Sequence, residues 1–354
     1  VRRNDLWLLF ALALAVRLAY VADIRGTVTF GSPLVDAYTY DQTARAVAAE
    51  GPGALELPFY QPPLYPLLLG ALYSLTGGSY LAPRIVQALL GALTVALVAA
   101  LAGRVGGRRA GWIAGGLILA YGPALYLEGE LLPPALVLTL STAAILLLVR
   151  ADRGERPVRS LGLAGLLFGI SSAARPTGLL LAAGAAIWWV LGRRAEPAGS
   201  RLLRAGLFAG LVALPILPFT LANRIGGGET ILLSYNGGIN FYLGNGAGSD
   251  SLTAIQPGHY WDEMQVEPWR AGIRNRAEES RYWLGRGLSE AAADPGAWLA
   301  ALGRKTLRLL DVRETPRNTD YEAFRRDSRL LSLPLPGFGL LAPLAALGLV
   351  VGFG

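Results

Sequence analysis

Apolar runs near bilayer-crossing length alternate with short polar breaks along most of this chain. Leu6 to Ala22 is the first. Leu81 to Ala102, Trp112 to Leu127, Leu131 to Val149 and Leu207 to Ala222 follow. Each comes close to the ~20 residues that cross a hydrocarbon core as a helix. Leu161 to Leu191 is too long for one span. Ser171-Ser172-Ala173-Ala174-Arg175-Pro176 interrupts it, and proline disfavours helix for the residue before it. The pattern therefore predicts two short spans with Arg175 at the turn between them. A last span falls within Leu330 to Gly354. The chain ends inside that apolar run, so the C-terminus is expected to continue in a longer protein. The first run lacks a small-residue cleavage site and is read as a retained helix. The prediction is an all-α polytopic membrane protein.

Two polar stretches break the pattern. Between residues 24 and 60, Ala37, Tyr40, Ala44, Val47 and Ala48 recur at helical spacing. This predicts an amphipathic helix over about 36–50, lying on the membrane and ended by Gly51-Pro52-Gly53. Gln61-Pro62-Pro63-Leu64-Tyr65-Pro66 then opens an apolar stretch to Leu75, read as interfacial or re-entrant. Residues 223–297 are Gly/Asn-rich at first, then charged and helical from Pro268 to Ala293. An amphipathic helix follows from Trp298 to residue 310 and carries Arg304, Lys305 and Arg308. The expected organisation is a transmembrane module over 1–222, with first exterior loop 24–80, an exterior segment over 223–330 and a terminal helix over 331–354.

Composition agrees with the pattern. The 354 residues are 53% hydrophobic and only 16% charged, against about 25% charged in a soluble domain. The chain has no cysteine and a single histidine, His259, which excludes thiolate chemistry and multi-histidine metal sites. The net charge of +7 is carried mainly by arginine clusters at alternate loops: Arg2 and Arg3; Arg104, Arg108 and Arg109; Arg150, Arg153, Arg156 and Arg159; Arg193, Arg194, Arg201 and Arg204. Such clusters mark the cytoplasmic side and contact anionic lipid, so nucleic acid is not the implied partner. The remaining loops, with 24–80, 126–131, Arg175 and 223–330, then lie outside. Arg17, within the first span, is costly in lipid and is expected to face protein or water, or to snorkel.

The exterior side carries the candidate chemistry. Asp36 is either a helix N-cap or a general base just outside the bilayer, and the local sequence leaves both open. Tyr40 sits one turn on. Glu128 and Glu130 are either a divalent-cation or acceptor site or the polar residues of a tight turn. Arg175, at a helix break, suits a phosphate, and Arg84 is a second candidate. The stretch Asn236 to Asn245, rich in Gly, Asn and aromatics, suits sugar hydroxyls but is no nucleotide fingerprint, because no strand precedes it and no helix clearly follows. His259 is read as a loop residue.

Together these pieces resemble the C-type glycosyltransferase superfamily, nearest to protein O-mannosyltransferase-like enzymes and the aminoarabinose transferase that modifies lipid A. The pattern is carried by Asp36-x-x-x-Tyr40-x-x-x-Ala44 after the first span, Pro62-Pro63-Leu64 at the membrane edge, Arg84 opening the next span, Glu130 as a second acid, Arg175 in the outer turn of a helical hairpin, and Asn240 to Asn245. It covers residues 5–245 well. The resemblance implies a helical bundle with membrane-edge helices in the first exterior loop. It implies Asp36 as base and a donor phosphate held by Arg175, Arg84 and Gln61, where family members often carry His or Lys at the last position. Tyr40, Tyr60, Asn240 and Asn245 are expected to line the substrate. Glu128 and Glu130 would face the acceptor or a divalent cation.

The expected function is transfer of a sugar from a polyprenyl-phosphate carrier to an acceptor lipid, glycan or protein, with inversion, on the periplasmic face of the plasma membrane. A flippase would place charges at mid-bilayer and show repeat symmetry, whereas a non-catalytic scaffold would tolerate Asp36→Asn.

Overall fold

The computed structural model describes residues 1–193, 196–249, 259–309, 311 and 320–353; Arg194, Leu310 and Gly354 of the stretches named above lie outside that set. Among the described residues the secondary structure is helical throughout. The helices are α1 (Arg3–Ile24), α2 (Val28–Gly31), α3 (Asp36–Glu50), α4 (Leu64–Thr76), α5 (Leu81–Leu119), α6 (Gly122–Gly129), α7 (Pro134–Asp152), α8 (Pro157–Ala174), α9 (Gly178–Gly192), α10 (Ala198–Ala213) and α11 (Leu217–Ile225). Beyond them come α12 (Gly237–Asn245), α13 (His259–Arg270), α14 (Arg276–Ala293), α15 (Pro295–Leu309), α16 (Tyr321–Asp327) and α17 (Phe338–Phe353).

Helix α1 shows why the spans pack. Leu9, Ala13, Arg17, Tyr20 and Ile24 recur every three or four residues and are buried. Leu9 and Ala13 meet Ala92, Val95 and Ala99 of α5. The other side of α1 exposes Trp7, Leu8, Leu12 and Leu18, a surface suited to lipid rather than water. The long α5 holds two helices. Gly107 has φ 81° and ψ −177°, a conformation open to glycine. A Cβ on Gly111 would fall 2.7 Å from the carbonyl oxygen of Ala99, so the chain has turned back on itself. The two predicted spans within 81–127 are thus one tight hairpin. Helices α8 and α10 approach closely through small residues: a Cβ on Gly165 would sit 2.6 Å from the Phe208 carbonyl oxygen, and one on Gly169 2.3 Å from that of Val212.

The break predicted at Arg175 is present, between α8 and α9. The single exit helix expected over 207–222 is instead a pair, α10 and α11, bent by 53°. The last apolar helix, α17, has 16 residues, fewer than the ~20 of a full span. His259 opens α13 rather than lying in a loop, and the charged stretch expected as one helix over 268–293 breaks between α13 and α14.

The arginine clusters gather at one end of the bundle in a web of ion pairs. Arg108 pairs with Asp5 at 2.8 Å, Arg104 with Glu155 at 2.6 Å, Arg193 with Asp152 at 2.9 Å and Arg204 with Glu196 at 2.8 Å. Arg153 donates to the Arg104 carbonyl. Exposed pairs of this kind stabilise little singly, but they fix the alternate loops of the sequence at a common end. The opposite end carries α3, α4 and the segment beyond α11.

In that segment the stretch 236–245 is helix α12, not a turn-rich loop. Ile239, Tyr242 and Leu243 are buried at helical spacing with Met264 and Trp283. Gly238 lies against the Ser280 main chain, where a Cβ would meet the carbonyl oxygen at 1.8 Å. The glycines permit close helix packing, and their abundance obscured the helical period.

Candidate active site

Asp36 is the first residue of α3, and the cap position belongs to Val35. The N-cap role is therefore not the one Asp36 plays, though an acid in the first turn still favours the helix dipole. Gln61 comes to it from the segment before α4: its Nε2 donates to Asp36 Oδ1 at 3.2 Å. The residue expected to hold phosphate thus bonds the Asp36 carboxylate in this structure.

Tyr40, one turn further, is 7% exposed and stacks edge-on against Tyr65, 5.2 Å between centroids. Burial raises its hydroxyl pKa most; the neighbouring Asp36 charge raises it further and the Arg175 guanidinium opposes both. Asp36, Tyr40 and Arg175 therefore share one electrostatic neighbourhood. Arg175 caps α8 in an extended conformation, its N–H returned to the Ser171 carbonyl at 2.9 Å. Its side chain is exposed and has no carboxylate partner among the described residues. An unneutralised guanidinium beside a carboxylate and a phenol can receive an anion.

Tyr60 completes the group. Its hydroxyl accepts from Gln265 Nε2 at 3.5 Å, and its ring meets Tyr235 at 5.2 Å. Burial pushes that hydroxyl up to about 12, with Asp36 among the charges it feels. The support under Tyr60 and Gln61 was missed in the sequence. Asn223 of α11 is fully buried. Its Oδ1 accepts from the Phe59 N–H at 2.9 Å, and its Nδ2 donates to the carbonyls of Ile231 (3.0 Å) and Leu233 (3.2 Å). The Tyr235 N–H donates back to the Phe59 carbonyl at 3.0 Å. A buried asparagine just after an apolar run was the available signal, since buried amides are kept for their hydrogen bonds.

Arg84, Glu128 and Glu130 belong to a buried network that meets the Tyr40 group through Gln87, whose Oε1 accepts from the Tyr65 hydroxyl at 2.7 Å. Arg17 pairs with Glu128, Nε to Oε2 at 2.7 Å, so Arg17 faces protein and does not snorkel. Arg84 donates to the carbonyls of Gly129 (2.7 Å) and Tyr80 (2.9 Å) and lies over the Phe30 ring at 3.9 Å. Gln87 donates to the carbonyls of Glu128 (2.8 Å) and Glu130 (2.7 Å). Arg84 is 1% exposed, and these contacts leave it little access to a phosphate. The acids fit a cation poorly: Glu128 is ion-paired, Glu130 feels the Arg84 charge, and among the described residues no group of three or more His, Cys, Asp or Glu is placed to hold a metal.

Asn240 and Asn245 sit on α12. Asn245 accepts from Trp298 Nε1 at 3.3 Å and donates to the Phe241 carbonyl at 3.0 Å, which ties it to packing; Asn240 is exposed.

Residues 60–219 match the family model for dolichyl-phosphate-mannose-protein mannosyltransferase. The match agrees with the protein O-mannosyltransferase-like resemblance over that segment, which runs from Tyr60 into α11 with Gln61, Arg84 and Arg175 inside it and Asp36 and Tyr40 outside it. The structure of the S. cerevisiae protein O-mannosyltransferase Pmt1-Pmt2 complex bound to the sugar donor is similar over 66% of this chain, with a TM-score of 0.46 and 19% identity. This chain spans 35% of the length of that one. No curated protein sequence matches the chain.

Proposed function

We propose that this protein is a membrane glycosyltransferase that moves a sugar from a polyprenyl-phosphate carrier to an acceptor hydroxyl, with inversion, on the exterior face of the plasma membrane. Asp36 takes the acceptor's proton. The acceptor oxygen attacks the anomeric carbon, and the bond from that carbon to the phosphate oxygen breaks with its electron pair on the phosphate. Arg175 offsets the charge that grows there. Gln61 and Tyr60 fix the carboxylate and the wall beside it. The family description, with a protein as acceptor and mannose as sugar, supplies the first pair to test.

One observation carries this proposal. The Asp36 carboxylate and the exposed Arg175 guanidinium both act on the buried Tyr40 hydroxyl, and the family match includes Gln61 and Arg175 but begins after Asp36 and Tyr40. On this reading the base and the anion site act on one bound donor and acceptor. The experiment is transfer of labelled mannose from polyprenyl-phosphate-mannose to a Ser/Thr-rich peptide, using membranes carrying the wild type or Asp36→Asn. Transfer is expected to fall by about 100-fold or more, the lower end of the range for loss of a general base, while donor binding stays. Equal transfer by both proteins would overturn the proposal.

A further inference from the structure

Asp41, five residues beyond Asp36 on α3, is 1% exposed, and four donors meet its carboxylate. Tyr73 Oη donates to Oδ1 at 2.6 Å. Oδ2 accepts from Arg45 Nε at 2.9 Å, Tyr80 Oη at 3.2 Å and Gln42 Nε2 at 3.4 Å. The Arg45 guanidinium also lies over the rings of Tyr73 and Tyr80, 5.1 and 4.9 Å from their centroids. A buried carboxylate requires such a set of partners, and this one joins α3 to α4 and to the residue that precedes α5.

The other end of α3 is strained. Val35, directly before Asp36, has φ 52° and ψ −119°. Positive φ is an outlier for a β-branched side chain, and it persists only where surrounding contacts over-determine it. The turn it makes is closed by the Ala37 N–H on the Leu34 carbonyl at 3.0 Å and the Thr39 N–H on the Val35 carbonyl at 3.1 Å. This turn starts the helix at Asp36 and sets where that carboxylate stands.

We propose that Asp41 is a positioning residue for Asp36: its four-donor knot holds α3 in place and thereby keeps Val35 in the strained turn. The proposal rests on Asp36 being the base. Released from the knot, Val35 relaxes to negative φ and the first turn of α3 moves. A glycine at position 35 bears no such strain, so the knot becomes dispensable there.

The test is steady-state sugar transfer and thermal unfolding of the full chain in Asp41→Asn, Val35→Gly and the double variant. Asp41→Asn is expected to lower kcat by about 100-fold, the scale of a 1 Å misplacement, with donor KM changed less than about two-fold. Val35→Gly alone leaves kcat within about two-fold, and in the Asp41→Asn background it returns about ten-fold of the loss. If Asp41→Asn does not accumulate folded, Tyr73→Phe, which removes one donor and keeps the ring, carries the same comparison. A wild-type kcat in the knot variant, a loss confined to donor KM, or a Val35→Gly gain equal in both backgrounds overturns the proposal. Asp36→Asn run alongside separates the two ideas: normal transfer there sinks the base assignment itself, whereas an inactive Asp36→Asn with no rescue by Val35→Gly sinks the positioning role alone.

Discussion

Gln61 donates its side-chain amide to Oδ1 of Asp36 across 3.2 Å, joining residues 25 positions apart. A neutral donor holds the carboxylate without neutralising it. Gln61→Ala is expected to lower kcat about ten-fold, the scale of a lost neutral hydrogen bond, with donor KM nearly unchanged. Gln61→Glu places a like charge beside Asp36, which disfavours ionisation; the acid limb of the rate profile should move to higher pH. A rise in donor KM as the main effect of Gln61→Ala would return this residue to a phosphate role.

Arg175 is expected to act on the phosphate. Arg175→Ala should lower kcat/KM for the lipid-phosphate sugar by about 100-fold or more, the scale found when a preorganised charge-stabilising group is removed. Arg175→Lys keeps the charge but loses the two-pronged geometry and should recover part of the loss. Titration of donor binding alongside turnover distinguishes this from a folding defect.

Tyr60 keeps its proton across the working range, since burial pushes its hydroxyl up to about 12. Between about pH 6 and pH 10 it stays neutral, as the ordinary phenol already does at the lower end of that range. Tyr60→Phe should therefore leave the position of any alkaline limb in the rate profile unchanged while lowering its height. A shifted limb would show that the hydroxyl ionises during turnover.

The Arg17–Glu128 pair, 2.7 Å apart and buried on both sides, should show the asymmetry of buried ions. Removing one partner leaves an uncompensated charge at about 3–5 kcal/mol, whereas replacing both by apolar groups is often neutral. Thermal unfolding in detergent should rank Arg17→Met and Glu128→Gln well below the double variant Arg17→Met/Glu128→Leu.

The spans were legible because a bilayer demands unbroken apolar length, and residues 81–127 and 161–191 announce themselves by that alone. Asp36, Tyr40 and Arg175 were legible as candidates because polar groups at the rim of apolar runs are costly and few. What the sequence concealed depended on distance along the chain. Gln61 meets Asp36, and Asn223 meets Phe59 across 164 positions, through contacts that leave no periodic trace. The role of Glu128 was hidden likewise, because its partner Arg17 lies 111 positions away. Helix α12 was missed for another reason: Gly237, Gly238 and Gly244 lower helix propensity, and packing against α13 and α14 offsets it.

The Asn223 bridge also has a consequence for the order of events during synthesis. Asp36 leaves the ribosome early, with the first loop. The residues that brace Phe59 and so set Tyr60 and Gln61, namely Asn223, Ile231, Leu233 and Tyr235, are made only after α11. A nascent chain can thus have several spans in the membrane while its acid still lacks its support. Under the proposed mechanism, a chain stalled before residue 235 has emerged lacks this brace and is expected to be inactive.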